Sequence, residues 1–564
     1  MLSTRFAPWH PSTCAQRCSI RSTRDATFLK ISSHRRHFGA TIAHLSRAQD
    51  GTQGNALVRH GVFTGIVATQ QSKNETIDQV IAKVDPEAHG KPLKPNANPS
   101  LLAILVTPSF AKHANDSSLA LRLLERFNAN PTASKPLESL TAVVDRLPVS
   151  ASSVAGAEGL AYALITDPLQ SHAGSLMPLQ SNATKPGSLS FDISTGTYHI
   201  TAQMPLAQTI FMTGVPSTLI HTQYQFDPLT GRLRKQSSQF LESASVPLPE
   251  SLAKGGVTLH APMVPLTLPR RVESSMGNIV RKLSAPQSTA KSHDAWSTKT
   301  ISASQELEAA VSKYFTLRSI APEAVEVWAL ILPDRISSPD LSTFPLVGAL
   351  NRLNPKSLEQ IWLGEHEAAS IESLQLDNLL PALTKGARMC KVLSGGGGWG
   401  KKAGLLSLDP DSQYSTRELR GNEGWEFTFD GDTTEEMMAA GRKQALGEVV
   451  EEGESIVFFL ANRPDILEMM MPNEDGSGSS TSQGQIVLGA LPTSTNSTPT
   501  ADTQSDTHRS GYFGALCEGG MALTIAKHGT RVTSTKTDIP HARLSINCSD
   551  TRLKGGHATA NDVK

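Results

Sequence analysis

Long apolar runs are missing from this chain of 564 residues. The longest, LLAILV at 101–106 and IVFFLA at 456–461, are the length of strands, far short of the roughly 18 to 20 apolar residues that a membrane-spanning helix needs. The sequence therefore predicts a soluble protein with no transmembrane segment. Aromatic residues are also scarce, at 5% against 38% hydrophobic residues in all, which predicts abundant loop structure around modest cores. Cysteine is rarer still. Cys14, Cys18, Cys390, Cys517 and Cys548 form no CxxC pair and no Cys/His cluster at zinc spacing, so neither a structural metal site nor a disulfide framework is expected. The sequence names no cofactor.

Net charge is absent over the whole chain, with 52 Lys and Arg against 52 Asp and Glu, but its distribution is uneven. Residues 1–45 hold Arg5, Arg17, Arg21, Arg24, Lys30, Arg35 and Arg36 against the single acid Asp25, among frequent Ser and Thr. That composition is typical of a mitochondrial presequence, because a cationic amphipathic segment is drawn inward by the matrix potential. RRHFGATIAHLS resembles a presequence cleavage pattern, Arg-x-Phe followed three residues later by Thr. It predicts a mature start near Gly39 or Ser46 and a home in the mitochondrial matrix. Without residues 1–45 the chain keeps 45 basic and 51 acidic residues, a net charge of −6. A nucleic-acid partner does not fit, since phosphate neutralisation calls for a basic surplus.

With 564 residues, the chain is too long for one hydrophobic core. The expected fold class is α/β or α+β: two mixed-sheet domains with an N-terminal presequence and a disordered Ser/Thr-rich insertion. GVFTGIVATQ (61–70) and SLLAILVTPS (100–109) read as strands, DSSLALRLLERF (116–127) as a helix capped by Asp116 or Ser117, and LTAVVDRLP (140–148) as a further strand. SLSFDISTGTYHITAQMP and STLIHTQYQFDPLTGRLRKQSSQFLE alternate around turns and read as antiparallel hairpins. Together they make an N-terminal domain over 55–265. The polar, aperiodic character of SAPQSTAKSHDAWSTKT assigns 266–300 to a linker.

A second domain is expected over 301–472. It opens with a helix at SASQELEAAVSKYF, then the buried strand AVEVWALILP, and AASIESLQLDNLLPALTKGARM as a helix broken at Pro381. The strand ESIVFFLA closes that stretch. Residues 473–510 are rich in Ser, Thr, Gly and Asn and read as a low-complexity loop, able to dock protein partners. QIVLGAL inside it reads as a short strand. Strands in GYFGALCEGGMALTI and HARLSINCS, over 511–550, are expected to complete the second domain. No fixed-period repeat is present.

The chemistry-bearing candidate is the run Gly395, Gly396, Gly397, Gly398, Trp399, Gly400, Lys401 and Lys402. It satisfies GxxxxGK, whose inward N–H groups and Lys would cradle phosphates. However, Lys402 stands where a Ser or Thr must hold magnesium, and no helix start follows at once. The same glycines fit GxGxxG between two strands, as in a kinase ATP hairpin, but the other kinase elements are missing. Between Asn378 and Leu408 lie five cations (Lys385, Arg388, Lys391, Lys401, Lys402) and no acid. Cationic, N–H-rich and flexible, the loop reads as an anion-binding flap for a small molecule bearing phosphate or carboxylate, with Trp399 as a stacking lid.

Other constellations read structurally. Asp432 and Glu435 are spaced as a capping box, without calcium-loop spacing. No GxSxG and no HExxH occurs, and His366–Glu367 stands alone. Cys517, in CEGGM, is a conceivable nucleophile only with His528 or His541 beside it. LLAILVTPS with its following helix, and the late GYFGALCEGG, resemble segments of the FIST sensor domain; the resemblance implies a sensor role as an alternative. The main expectation is a non-catalytic ligand-binding or assembly factor; an enzyme using a nucleotide or phosphorylated substrate at the glycine loop is a further alternative.

Overall fold

A computed structural model describes residues 62–69, 74–86, 99–127, 136–148, 156–166, 174–179, 187–285, 300–334, 345–364, 379–395, 404–412, 449–461, 484–492 and 507–548. All lie in the compact unit Arg59–Lys564, and they are mixed α/β, rich in sheet with few helices. Residues 1–45, expected as a presequence, the expected capping box at 432–435, His366 and Glu367 fall outside the described residues, as does most of 473–510.

β1 (Val62–Thr69) is followed by α1 (Ile77–Ala82), which Thr76 and Gln79 start with a reciprocal capping box. β2 (Leu101–Val106) leads through α2 (Ala111–Ala114) and α3 (Ser118–Arg126) into β3 (Leu137–Val143). The N–H of Ser118 donates to Asp116, supplying one of the bonds that the start of α3 needs. β2 and β3 are parallel neighbours, as a strand–helix–strand crossover requires. Every residue of β2 is buried because both faces are covered: Leu102, Ile104 and Val106 meet the helices, and Leu101, Ala103 and Leu105 meet the central core.

β4 (Glu158–Ile165) inserts between β1 and β2, and β5 (Leu176–Pro178) borders the sheet further on. The two expected hairpins are present as β6 (Ser188–Ser194) with β7 (His199–Pro205), and β8 (Leu219–Asp227) with β9 (Arg232–Leu248). Between them sits α4 (Ile210–Thr213). In the second turn the Asp227 carboxylate accepts from Leu229 N–H at 2.9 Å and Thr230 Oγ1 at 3.0 Å, the local bonding that suits Asp to turns.

β10 (Val257–His260) and β11 (Met263–Pro265) come next. The following stretch departs from expectation. Residues 270–284, assigned to a linker, form a hairpin of β12 (Arg270–Met276) and β13 (Ile279–Ser284). Val272, Val280 and Leu283 face a core, but the charged residues before and between them (Arg270, Arg271, Glu273, Arg281, Lys282) make the stretch look aperiodic. Residues 286–299 are outside the described set.

β14 (Thr300–Ser302) runs into α5 (Ala303–Arg318), and β15 (Val327–Leu332) is wholly buried, as expected. α6 (Pro345–Arg352) and α7 (Pro355–Leu363) precede α8 (Leu380–Leu383). Of the helix expected to break at Pro381, residues 368–378 lie outside the described residues, and Pro381 itself does not interrupt α8. It lies in the first turn of α8, where its missing N–H has no intrahelical acceptor to lose. β16 (Arg388–Gly395), β17 (Leu406–Leu408) and β18 (Ser455–Ala461) then complete a ring. β18 pairs β12, then β13, β17, β16 and β15 follow in turn, and β15 returns to β18. Closure of this kind leaves no open edge among these strands. One core lies on the side that α5 and α7 cover, where Tyr314 meets Trp362 edge-on at 5.9 Å.

The last strands are β19 (Gly484–Ala490), β20 (Thr507–Ser510), β21 (Tyr512–Cys517), β22 (Met521–Lys527), β23 (Thr530–Thr537) and β24 (Arg543–Cys548). They do not simply extend the second half. β20 pairs β1, β22 pairs β7, and β19, β21 and β24 form a four-stranded sheet with β10. The large sheet thus reaches twelve strands. Its inner face, the four-stranded sheet and the outer face of the ring, including Trp328 and Phe459, share one core. Periodicity cannot reveal such pairings, because it carries no information on which strands meet across hundreds of residues.

Candidate functional site

The glycine run emerges from the ring. β16 pairs β15 through Trp328↔Lys391, Ala329↔Cys390, Leu330↔Met389 and Ile331↔Arg388. On its other side it pairs β17 through Val392↔Leu408, Ser394↔Ser407 and Gly395↔Leu406. The register slips between Val392 and Ser394, an irregularity that bends a strand, and Leu393 there is 56% exposed. Gly395 ends the strand. Gly396, Gly397, Gly398, Trp399, Gly400, Lys401 and Lys402 lie outside the described residues. The chain returns at Gly404, whose carbonyl accepts from Ser302 Oγ at 2.8 Å, at the start of α5.

Beside this exit is a groove of about 580 Å³ between α5 and the C-terminal end of β16. Leu307, Val311 and Phe315 supply one wall at four-residue spacing, which puts them on one face of the helix. Val325 and Val392 supply the other, and Ser394 lies at the rim, next to Gly395. Glu308 and Glu323 also border the groove. Its lining is mainly apolar, with the carboxylates of Glu308 and Glu323 and the hydroxyl of Ser394 among it.

The cationic window read along the chain looks different in space. Arg388 donates to both carboxylate oxygens of Glu454, at 2.6 and 2.5 Å, and to Val449 O at 3.0 Å. Lys391 pairs with Glu326 and lies 5.4 Å from the centre of the Trp328 ring. An acid-free stretch of chain is therefore not an acid-free surface: β15 and β18 bring carboxylates from 65 and 66 residues away. Of the other cations in that window, Lys385 lies at the foot of β16, and Lys401 and Lys402 fall outside the described residues.

A second cluster stands at the carboxyl ends of β2 and β3, the side of a parallel strand pair where ligands commonly bind. Asp145 follows β3, and its Oδ2 accepts the Glu518 N–H at 2.9 Å. Burial pushes its carboxyl up to about 6, against the opposing effect of that N–H. Neighbouring Arg146 bonds Glu158 at 2.8 Å, and Glu158 also accepts from Ser109. Arg146 and Leu516 exchange backbone hydrogen bonds, tying β21 to this end of the sheet. Cys517, next in β21, is completely buried, and burial pushes its thiol well above the usual range. It is not poised as a nucleophile. His528 lies in the turn beyond β22, a strand's length from Cys517, and His541 is itself buried. Nothing in VVDRLP marks Asp145 in the sequence, since its environment comes from residue 518.

No protein-family model, curated protein or solved structure matches the chain. The FIST resemblance therefore rests on its two sequence segments alone. Among the described residues no three His, Cys, Asp or Glu side chains gather to hold a metal ion. No helix among them is long and apolar enough to cross a membrane.

Proposed function

We propose that the protein is a non-catalytic ligand-binding or assembly factor that holds a small molecule with an apolar body and a phosphate or carboxylate head. The body lies in the groove between α5 and β16, and the glycine run from Gly395 to Lys402 acts as the anion-binding flap. One observation carries this reading: the strand that walls the groove runs through Ser394 directly into the glycine run, and Gly404 on the far side is tied to the start of α5. Glu308 and Glu323 repel an anionic group in the groove itself, so the head belongs at the flap end, with Lys401 and Lys402. Thermal-shift measurement of the full chain tests the reading with ATP, coenzyme A and a long-chain acyl-coenzyme A. The acyl ester is expected to raise the melting temperature most, and the joint substitution Lys401→Ala with Lys402→Ala to reduce that shift. No shift with any of the three sinks the proposal.

The same reading places the protein in the mitochondrial matrix after removal of residues 1–45. It also keeps two mixed-sheet parts, 55–265 and 301–472 with 511–550, joined by the pairing of β20 with β1 and of β22 with β7. Support for import is the composition of the first 45 residues, seven basic side chains against one acid.

A further inference from the structure

The loop joining β7 to β8 presents three consecutive apolar side chains to solvent. On α4, Ile210 is 46% exposed, Met212 43%, and Phe211 fully exposed at 101%. Exposed apolar residues scattered singly need no explanation, but a run of them at a tip does. The tip is also rigidly mounted. Thr209 and Thr218 are buried and joined through their hydroxyls at 2.9 Å, and Thr213 bonds Thr218 at 3.0 Å. Thr209 N–H donates to Pro216 O, and Ala207 N–H fastens the loop to Val143 O at the end of β3. Gly214, at φ 80°, ends the helical turn in the left-handed conformation that favours glycine. A floppy loop could fold its phenylalanine inward; this one holds it out.

The surroundings narrow what can cover it. Residues 206–218, the tip and the loop that carries it, contain no Asp, Glu, Lys or Arg, so these side chains can themselves leave water without stripping a charge of their own. α2 packs against α4 and carries the exposed Lys112. Three apolar side chains on one helical turn offer far less than the roughly 800 Å² per partner of a standard protein interface. A bilayer interface needs no matching shape and accepts an aromatic ring at headgroup depth.

We propose that α4 is a membrane-docking tip, with Phe211 as the anchor inserted into the acyl boundary of an anionic lipid surface and Lys112 at the headgroups. The full chain is tested on vesicles of equal parts phosphatidylcholine and phosphatidylglycerol. Phe211→Ser, at a site that touches no core, is expected to fold normally and to partition about tenfold or more weaker, as withdrawing one buried ring predicts. The basic stretch at 1–45 can hold such vesicles by itself, so a local readout accompanies sedimentation. Phe211→Trp should shift its emission to the blue on adding vesicles, measured as a difference from the wild type. Sedimentation is read at a salt concentration that screens the basic stretch; no blue shift in Phe211→Trp, or unchanged partitioning of Phe211→Ser under those conditions, overturns the proposal. So does an oligomer that Phe211→Ser converts to a monomer while Phe211→Trp shows no blue shift on adding vesicles, which would assign the patch to a second copy of the chain.

Discussion

Replacing Asp145 with Asn isolates the cost of a buried carboxyl at the end of β3. Its ordinary value of 3.8 is raised to about 6, with burial the largest cause. A carboxyl raised in the folded state is tolerated there in its neutral form. The fold therefore bears no cost below pH about 4, a growing one between about 4 and about 6, and a constant one above. Two units correspond to about 3 kcal/mol at about 1.4 kcal/mol each. Asn is neutral throughout and keeps an oxygen to accept the Glu518 N–H, so Asp145→Asn should stabilise the protein at pH 8 and change nothing at pH 4. With an unfolding entropy of about 2 cal/mol/K per residue, 3 kcal/mol raises the Tm of a unit this size by roughly 3 °C. The assay is calorimetric melting of both proteins across that pH range. A difference that is the same at both ends, or a lower Tm for Asp145→Asn at pH 8, refutes the assignment of burial as the cause.

Two further outcomes follow from the same structure and sequence. Arg388→Met leaves Glu454, 7% exposed, without its bidentate partner and should cost about 3 kcal/mol in urea unfolding, with Glu454→Gln on top recovering part of it. A reporter carrying residues 1–50 should enter mitochondria and be shortened near Gly39 or Ser46; a reporter that stays cytosolic ends the matrix assignment.

Much of the local architecture is legible in the residues. The uninterrupted LLAILV and VWALIL become strands covered on both faces, alternation and Asp227 turn chemistry mark the hairpins, and the Leu307, Val311 and Phe315 spacing foreshadows a helix with one apolar wall. What escapes is whatever depends on partners distant in sequence. Val272, Val280 and Leu283 are too diluted by charge to announce β12 and β13. Nothing local says that β22 extends the sheet of β7, or that Glu326 and Glu454 come to Lys391 and Arg388. The flap reading drew on charge counted along the chain, and the fold redistributes that charge. The groove beside it is invisible in sequence because its two walls come from residues some 80 apart in the chain, Val311 and Val392.

The central claim is that one ligand spans the apolar groove and the glycine flap. Anilinonaphthalene sulfonate, an aromatic body with an anionic head, tests both halves in a single fluorescence titration of the full chain. The account predicts saturable binding that weakens about tenfold or more in Val311→Glu, which puts a charge into the apolar wall, and also weakens in the joint Lys401→Ala, Lys402→Ala variant. Wild-type affinity retained in Val311→Glu, or in the double lysine variant, contradicts it.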